Sequence, residues 1–297
     1  MLNKGHHVTR SPRHKVFALT AALFLIAAVA LLAGCKPDNY ALEREYYWLQ
    51  MSAQKIFRNP HATPPNQLEN VVKKFNDFTA RNAESALAVE SQFTIARLYL
   101  IKNEHENARA QLKKIINTYS KNPNICSEAV FLIGNTYEMQ NKWDSALIQY
   151  KKIMQDYPTT LRGVDIPIYI IQHYKIKLQP DRMMEATRQA IEHYKAMAAK
   201  YPGSPFAYRV EILIAQCYTL LKEWNNSIST FRSIIDKYKD KVSMDGVMMD
   251  MAMIYSRELK DNDNALKVLE QLLADYPKSR LSNAAKAMMG KLKEQKE

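Results

Sequence analysis

The stretch that decides the fold is Val130-Phe131-Leu132-Ile133-Gly134-Asn135-Thr136-Tyr137, followed by Ala146, Tyr150, Ile153 and Pro158. The large apolar residues, the glycine and the tyrosine recur at the spacing that lines one side of a helix. After a short polar turn, a small residue, an aromatic and an aliphatic do the same, and a proline stops the run. Two short amphipathic helices joined this closely bury their apolar stripes against each other as a hairpin. Small residues, Gly134 and Ala146, are expected where the two axes come closest, since a larger side chain there would overpack at about 1–3 kcal/mol. Tyr137 and Tyr150 supply apolar area at the wider gaps.

The same marks recur outward along the chain. They read Ile95, Ala96, Tyr99, Ala108, Leu112 and Ile115 before this segment, and Ile214, Ala215, Tyr218, Ser227, Phe231 and Ile234 after it. A further copy holds Met251, Ala252, Tyr255, Ala265, Leu269, Leu272 and Pro277. A less regular copy lies between, with Ile170, Ile171 and Tyr174 in its first helix and Ala190, Tyr194, Met197 and Pro202 in its second. The turn of that copy is expected to be longer by about seven residues and to contain Gln179-Pro180-Asp181. Steps between the small residues of successive second helices, from Ala108, are 38, 44, 37 and 38 residues. Residues 41–82 read as a degenerate first hairpin whose second helix carries Leu68, Val72, Phe75 and Ala80. Residues 279–294 read as a closing helix with a polar tail. In Tyr201-Pro202-Gly203-Ser204 and Tyr276-Pro277-Lys278-Ser279 the proline ends one helix and the serine is placed to cap the next.

No stretch alternates apolar and polar residues as a strand would. A single hairpin leaves one face bare, so the repeats must stack. The expected fold is all-α: a solenoid of about five antiparallel hairpins over residues 83–297, with the degenerate hairpin in front and a capping helix behind.

The marks resemble those of the tetratricopeptide repeat (TPR): a large residue, Leu-Gly, Tyr, then Ala, an aromatic and Pro. The resemblance implies that the first helix of each hairpin lines a concave partner-binding face. Carried over position by position, it implies groove residues Phe93 and Arg97, Phe131 and Asn135, Ile168 and Gln172, Ile212 and Gln216, and Met249 and Met253. At a third groove position stand Glu90, Glu128, Asp165, Arg209 and Gly246. An apolar stripe flanked by amides and a few charges suits an extended peptide or a helix. The carboxylate clamp of chaperone-binding TPRs needs paired Lys and Asn, and only Asn135 matches.

The amino-terminal segment has a different layout. Residues 1–15 carry Lys4, Arg10, Arg13 and Lys15 and no acid, and Val16 to Ala33 hold no charged side chain. Basic, then apolar, then small residues is the order of an export signal. As a helix, the apolar run would be about 27 Å long, just short of the roughly 30 Å hydrocarbon core, so length alone does not exclude an uncut anchor. Leu32-Ala33-Gly34-Cys35 at its end resembles the lipobox of bacterial lipoproteins. That resemblance implies residues 1–34 as a signal peptide cut between Gly34 and Cys35, acyl chains (palmitate-type) on Cys35, and residues 35–40 as a tether. In lipoproteins of the enterobacterial type Asp directly after that cysteine favours the inner membrane, so with Lys36 there the resemblance implies the outer membrane.

The whole chain carries +12, and without its first 34 residues 38 basic face 30 acidic side chains, or +8. The charges of both signs alternate at helical spacing (Lys73, Lys74, Asp77; Lys151, Lys152, Asp156), which reads as solvated helix faces rather than a nucleic-acid site. Cys126 and Cys217 are too few and too far apart for a disulfide framework and are expected as buried free thiols.

No catalytic constellation emerges, and the expectation is a non-enzyme without metal or cofactor. The glycines after the leader are too scattered for a phosphate-binding loop. His105-Glu106-Asn107-Ala108-Arg109 begins like a zinc-protease helix but has Arg109 at the second ligand position. His173 and His193 read as ordinary helical histidines. Met244, Met248 and Met251 share one helix face and read as core. An adaptable partner-contacting patch and soft copper(I) ligation through Met248-x-x-Met251 are the alternatives weighed against that.

Lipobox and Tyr-Pro-ending repeats together resemble BamD, the family of TPR lipoproteins of the outer-membrane β-barrel assembly machinery. The resemblance implies a lipid-anchored scaffold on the periplasmic face of the outer membrane, binding envelope proteins or extended peptides, among them a β-barrel assembly subunit. The Tol-Pal-associated TPR family, a pilus or secretion lipoprotein, and a regulator of cell-wall enzymes stay open as alternatives.

Overall fold

The computed structural model describes residues 39–294. The signal segment, its cleavage point at Gly34, the lipidation site Cys35 and most of the tether lie outside the described residues. Among the described residues every regular element is helical, in 13 α-helices with one π turn. The chain forms two compact units, divided between Glu104 and His105.

The first unit holds α1 (Asn39–Arg58), α2 (Pro65–Arg81) and α3 (Ala86–Ile101). Leu68, Val71, Val72, Phe75 and Phe78 form the buried stripe of α2, at the spacing of one amphipathic face. They pack on Leu49, Ala53 and Ile56 of α1 and on Ile95 and Leu98 of α3. Pro65 sits in the first turn of α2, where its missing N–H costs nothing. The Lys102 ammonium ties down the α1–α2 turn, donating to the carbonyls of Pro60 (2.8 Å) and Thr63 (2.9 Å).

The second unit runs α4 (His105–Thr118), α5 (Pro123–Met139), α6 (Trp143–Asp156), α7 (Leu161–Ile176), α8 (Pro180–Lys200), α9 (Pro205–Leu220), α10 (Trp224–Tyr238), α11 (Asp245–Met253, continued by the π turn Ile254–Glu258), α12 (Asn262–Asp275) and α13 (Ser282–Glu294). Pairs α5/α6, α7/α8, α9/α10 and α11/α12 are antiparallel hairpins stacked in series as an all-α solenoid, and α13 packs on the last. Each apolar cluster is shared between neighbours: Tyr150 and Ile153 of α6 pack with Ile166 and Ile170 of α7, and Tyr194 and Met197 of α8 with Val210 and Ile214 of α9. No hairpin closes its own core, which is why the array needs its neighbours.

The turns inside hairpins share one device that periodicity does not reveal. Asn103, Asn141, Leu178, Lys222 and Lys260 all have φ between 54 and 61°. In the first four, the next N–H reaches back five residues to the carbonyl of the repeat's tyrosine: Tyr99, Tyr137, Tyr174 and Tyr218. This is a Schellman closure, and it satisfies carbonyls that the helix end would otherwise leave bare. The fifth turn departs because of the π turn, and Asp261 N–H reaches Tyr255 instead.

At each Tyr-Pro the second helix ends on the residue before the tyrosine, at Asp156, Lys200 and Asp275. Caps for the following helices come from Thr160 and Ser204, whose hydroxyls accept from the N–H groups of Gly163 and Ala207, both at 3.0 Å. Ser279 accepts from Leu281 N–H at 3.0 Å, but α13 itself starts only at Ser282. One expectation is corrected. Gln179-Pro180-Asp181 does not extend a turn. Pro180 opens α8, and the additional residues lengthen that helix to 21, against 14 in α6. Proline is well accommodated at a first helical position, so this one starts the helix.

Candidate peptide-binding cleft

Ile168 on α7, Gln216 on α9 and Met253 on α11 come from three successive first helices and line one cleft of about 440 Å³. Its floor and walls add Phe231, Trp224, Leu220 and Ile254, and its rim holds Arg257 and Glu258 of the π turn. The wall also contains Asp250, half-buried, with no hydrogen bond or ion pair among the described residues. Burial pushes its carboxyl above the ordinary carboxylate range. An apolar cavity with one poorly solvated carboxylate favours an apolar side chain with a cation or hydrogen-bond donor beside it.

The other expected groove residues have different surroundings. Phe131 is buried between Tyr150 and Tyr169, and the Arg162 guanidinium lies 3.8 Å above its ring. Asn135 accepts the Tyr150 hydroxyl at 2.8 Å. Ile212 packs on the core around the last hairpin, to which Met249 belongs. Gln172 is exposed beside a separate polar hollow with Glu138, Tyr169 and His173. Phe93 and Arg97 belong to the first unit, Phe93 buried and Arg97 paired with Glu90 at 2.7 Å. The charged positions of the first helices form cross-links: Glu128 takes Arg162 through two bonds of 2.5 and 3.0 Å, and Asp165 takes Arg209 at 2.8 Å. These pairs are half-exposed, so each contributes at most about 1 kcal/mol and serves chiefly to set spacing.

The polar hollow is built around Glu138, which accepts the Tyr169 hydroxyl at 2.5 Å and lies 3.4 Å from His173 Nδ1. His173 stacks on Trp143 with ring centroids 3.3 Å apart. Burial, opposed by Glu138, lowers the His173 pKa, and burial with the Glu138 bond pushes the Tyr169 phenol up to about 12. Among the described residues no three His, Cys, Asp or Glu side chains gather as metal ligands. Arg109, at the position of a zinc ligand in the protease motif, is buried. It donates to Thr136 at 2.8 Å and Gln140 at 3.0 Å, fastening α4 to α5.

Met244, Met248 and Met251 are core residues of the last hairpins, within 3% of full burial. Cys126 and Cys217 are buried free thiols, and burial pushes the Cys217 thiol up to about 12. Sequence reasoning missed Asp250, Trp224 and the π turn. The one available signal was a carboxylate inside an otherwise apolar stretch, Met248-Met249-Asp250-Met251.

Residues 188–295 match the model of an outer membrane lipoprotein family, YfiO, and residues 128–160 match a tetratricopeptide-repeat model. The chain is a TPR protein, and its residues 188–295 are similar to that outer membrane lipoprotein family. Among solved structures it is similar to a thermophilic TPR protein of Thermus thermophilus (15% identity, 69% of this chain and 98% of that one, TM-score 0.41). It is also similar to YrrB, a TPR protein with an unusual peptide-binding site (17%, 72% and 97%, TM-score 0.37). A third is the carboxy-terminal part of a TPR protein of Cytophaga hutchinsonii (16%, 75% and 77%, TM-score 0.41). No curated protein matches. Among the described residues no helix is long and apolar enough to cross a membrane.

Proposed function

We propose that this protein is a lipid-anchored scaffold of the bacterial outer membrane, held at Cys35, that captures an extended segment of an envelope protein in the cleft between α7, α9 and α11. The observation that carries the reading is the convergence of Ile168, Gln216 and Met253, from three repeats, around the unpartnered carboxylate of Asp250. Three of these four lie within the segment matched by the outer membrane lipoprotein family. That match supports a BamD-like role in β-barrel assembly, with a barrel subunit or its substrate as partner. The ligand is an apolar side chain adjoining a Lys, an Arg or a free amino group.

The test is photo-cross-linking in intact cells from an analogue at Gln216, with and without Asp250→Asn. The expected result is a β-barrel-protein adduct from Gln216, reduced several-fold by Asp250→Asn while the variant's stability at neutral pH rises. The folded carboxyl holds its proton above the ordinary range. The unfolded chain thus loses it first as pH rises, and ionisation of Asp250 costs stability above that window. An undiminished adduct in the Asn variant refutes the role of Asp250, and an adduct with no envelope protein refutes the function.

A further inference from the structure

We propose that the outward face of α1 is a membrane-contact surface that lies in the headgroup region of an anionic bilayer. Tyr40, Tyr47 and Trp48 are 67, 55 and 64% exposed, and among the described residues they are the only large aromatics that are exposed; the other large apolar side chains so exposed are not aromatic and are scattered over other helices and turns. At 3.6 residues per turn, Tyr40, Arg44, Tyr47, Trp48, Lys55 and Arg58 fall within an arc of about 100°. The buried Leu49, Ala53 and Ile56 lie on the opposite side, so the aromatic arc points away from the core of the first unit. No acid falls inside the arc. Glu45 is turned off it to pair with Arg81 at 2.6 Å, and Glu43 lies on its flank.

Interleaved aromatic and basic side chains on one face match the two layers of a bilayer surface. Tyr and Trp rings, apolar in body and polar at one end, settle at headgroup depth, and Arg and Lys are drawn to anionic lipids. The place of the face in the chain favours lipid over a protein as its occupant. Three residues separate Cys35 from Asn39, four steps along a chain that spans at most about 3.6 Å per residue when fully extended. The α-carbon of Asn39, where α1 starts, thus lies within about 14 Å of that of Cys35. This argument rests on the reading that Cys35 is acylated. An acylated cysteine followed by an interfacial helix gives two attachment signals and fixes the orientation of the first unit at the membrane.

The full chain, purified from membranes, should be reconstituted into vesicles of phosphatidylethanolamine and phosphatidylglycerol. Its mass is read for acylation, and the Trp48 emission is isolated by difference from Trp48→Phe. The inference expects Trp48 emission to shift to the blue in the vesicles. Lipids brominated near the headgroup should quench it, and aqueous iodide should lose most of its access. Combining Arg44→Glu, Lys55→Glu and Arg58→Glu, all at exposed positions, should restore the iodide quenching. An acylated chain whose Trp48 stays open to iodide overturns the inference and leaves the anchor reading intact. A non-acylated chain whose Trp48 is quenched by lipid upholds the inference without the anchor. Protection of Trp48 that grows with protein concentration in the absence of vesicles assigns the face to a protein contact and overturns it.

Discussion

Replacing Gly134 by alanine tests how the hairpins fit together. An ideal Cβ at Gly134 would stand 2.3 Å from Cε1, 2.8 Å from Cζ and 3.0 Å from Cδ1 of Tyr150. Ordinary contact begins at 3.4 Å, so the ring must retreat by about 1 Å. It has no room to do so. Tyr150 is fully buried, its hydroxyl is held by Asn135 at 2.8 Å, and the rings of Phe131, Trp143 and Tyr169 surround it at centroid distances of 5.7, 5.9 and 5.3 Å. Alanine in a helix interior gains about 0.8–1.0 kcal/mol over glycine. Overpacking costs about 1–3 kcal/mol, and a contact this short against a locked ring belongs at the upper end. The net expectation is a loss of about 1–2 kcal/mol, or roughly 2–4 °C in Tm per kcal/mol for a unit of this size. Urea and thermal unfolding followed by circular dichroism provide the readout. A double-mutant cycle with Tyr150→Leu separates causes, since with the ring gone Gly134→Ala should become neutral or stabilising. If Gly134→Ala alone is as stable as wild type, or if the cycle shows no coupling, the close-approach argument is wrong.

Gly163→Ala should be worse than Gly134→Ala, by more than about 3 kcal/mol, because its Cβ would meet the backbone carbonyl oxygens of Tyr157 at 2.1 Å and Pro158 at 2.6 Å, which no side-chain rotation relieves. Gly290→Ala, with nothing within 4 Å, should gain up to about 1 kcal/mol in the same urea titration. Leu178→Asn should stabilise by about 1 kcal/mol in thermal unfolding, since Leu178 holds φ 54° while 86% exposed and has little packing to lose. Burial lowers the His193 pKa from its ordinary 6.5 and leaves Nε2 without a partner. The unfolded chain therefore takes the proton first, so stability should fall as pH drops through 6.5 towards the folded value, and His193→Gln should flatten that slope between about pH 7 and 5.

The helices and their pairing were legible because the marks that carry them are strong and repeated. Ala146, Ala190, Ser227 and Ala265 are all fully or nearly fully buried, where the repeat marks put them. The turn chemistry was half legible. Asn103 and Asn141 are residue types that accept a positive φ, but Leu178, Lys222 and Lys260 hold it against their own preference. At Leu178 and Lys222 the tyrosine carbonyl five residues before the turn's end, and at Lys260 that of Tyr255 six residues before it, together with the short connection, fixes the backbone. The length of α8 was misjudged for a related reason: a proline after polar residues reads equally as a loop or as a first helical turn, and only the helix packed beside it decides. Pro167 inside α7 shows the converse. Its missing N–H removes a helical rung, yet it is buried and the helix continues through it.

The cleft was harder to read because a groove position carries a direction only if the helix that bears it is regular and its neighbours leave space. Both conditions hold at Gln216. At Phe131 the second fails, because Tyr150 and Tyr169 close over the ring and Arg162, held by Glu128, lies across it. At Met253 the first fails in an informative way. The π turn starts one residue later and brings Arg257 and Glu258 to the rim of the same cleft as Asp250. A π turn inserts a residue into the helical register, and such insertions persist where the re-aimed side chains have a task. The irregular part of α11 and the poorly solvated carboxylate therefore argue together. The packing of the other first helices does not require either feature, and both converge on the apolar cleft lined by three successive first helices.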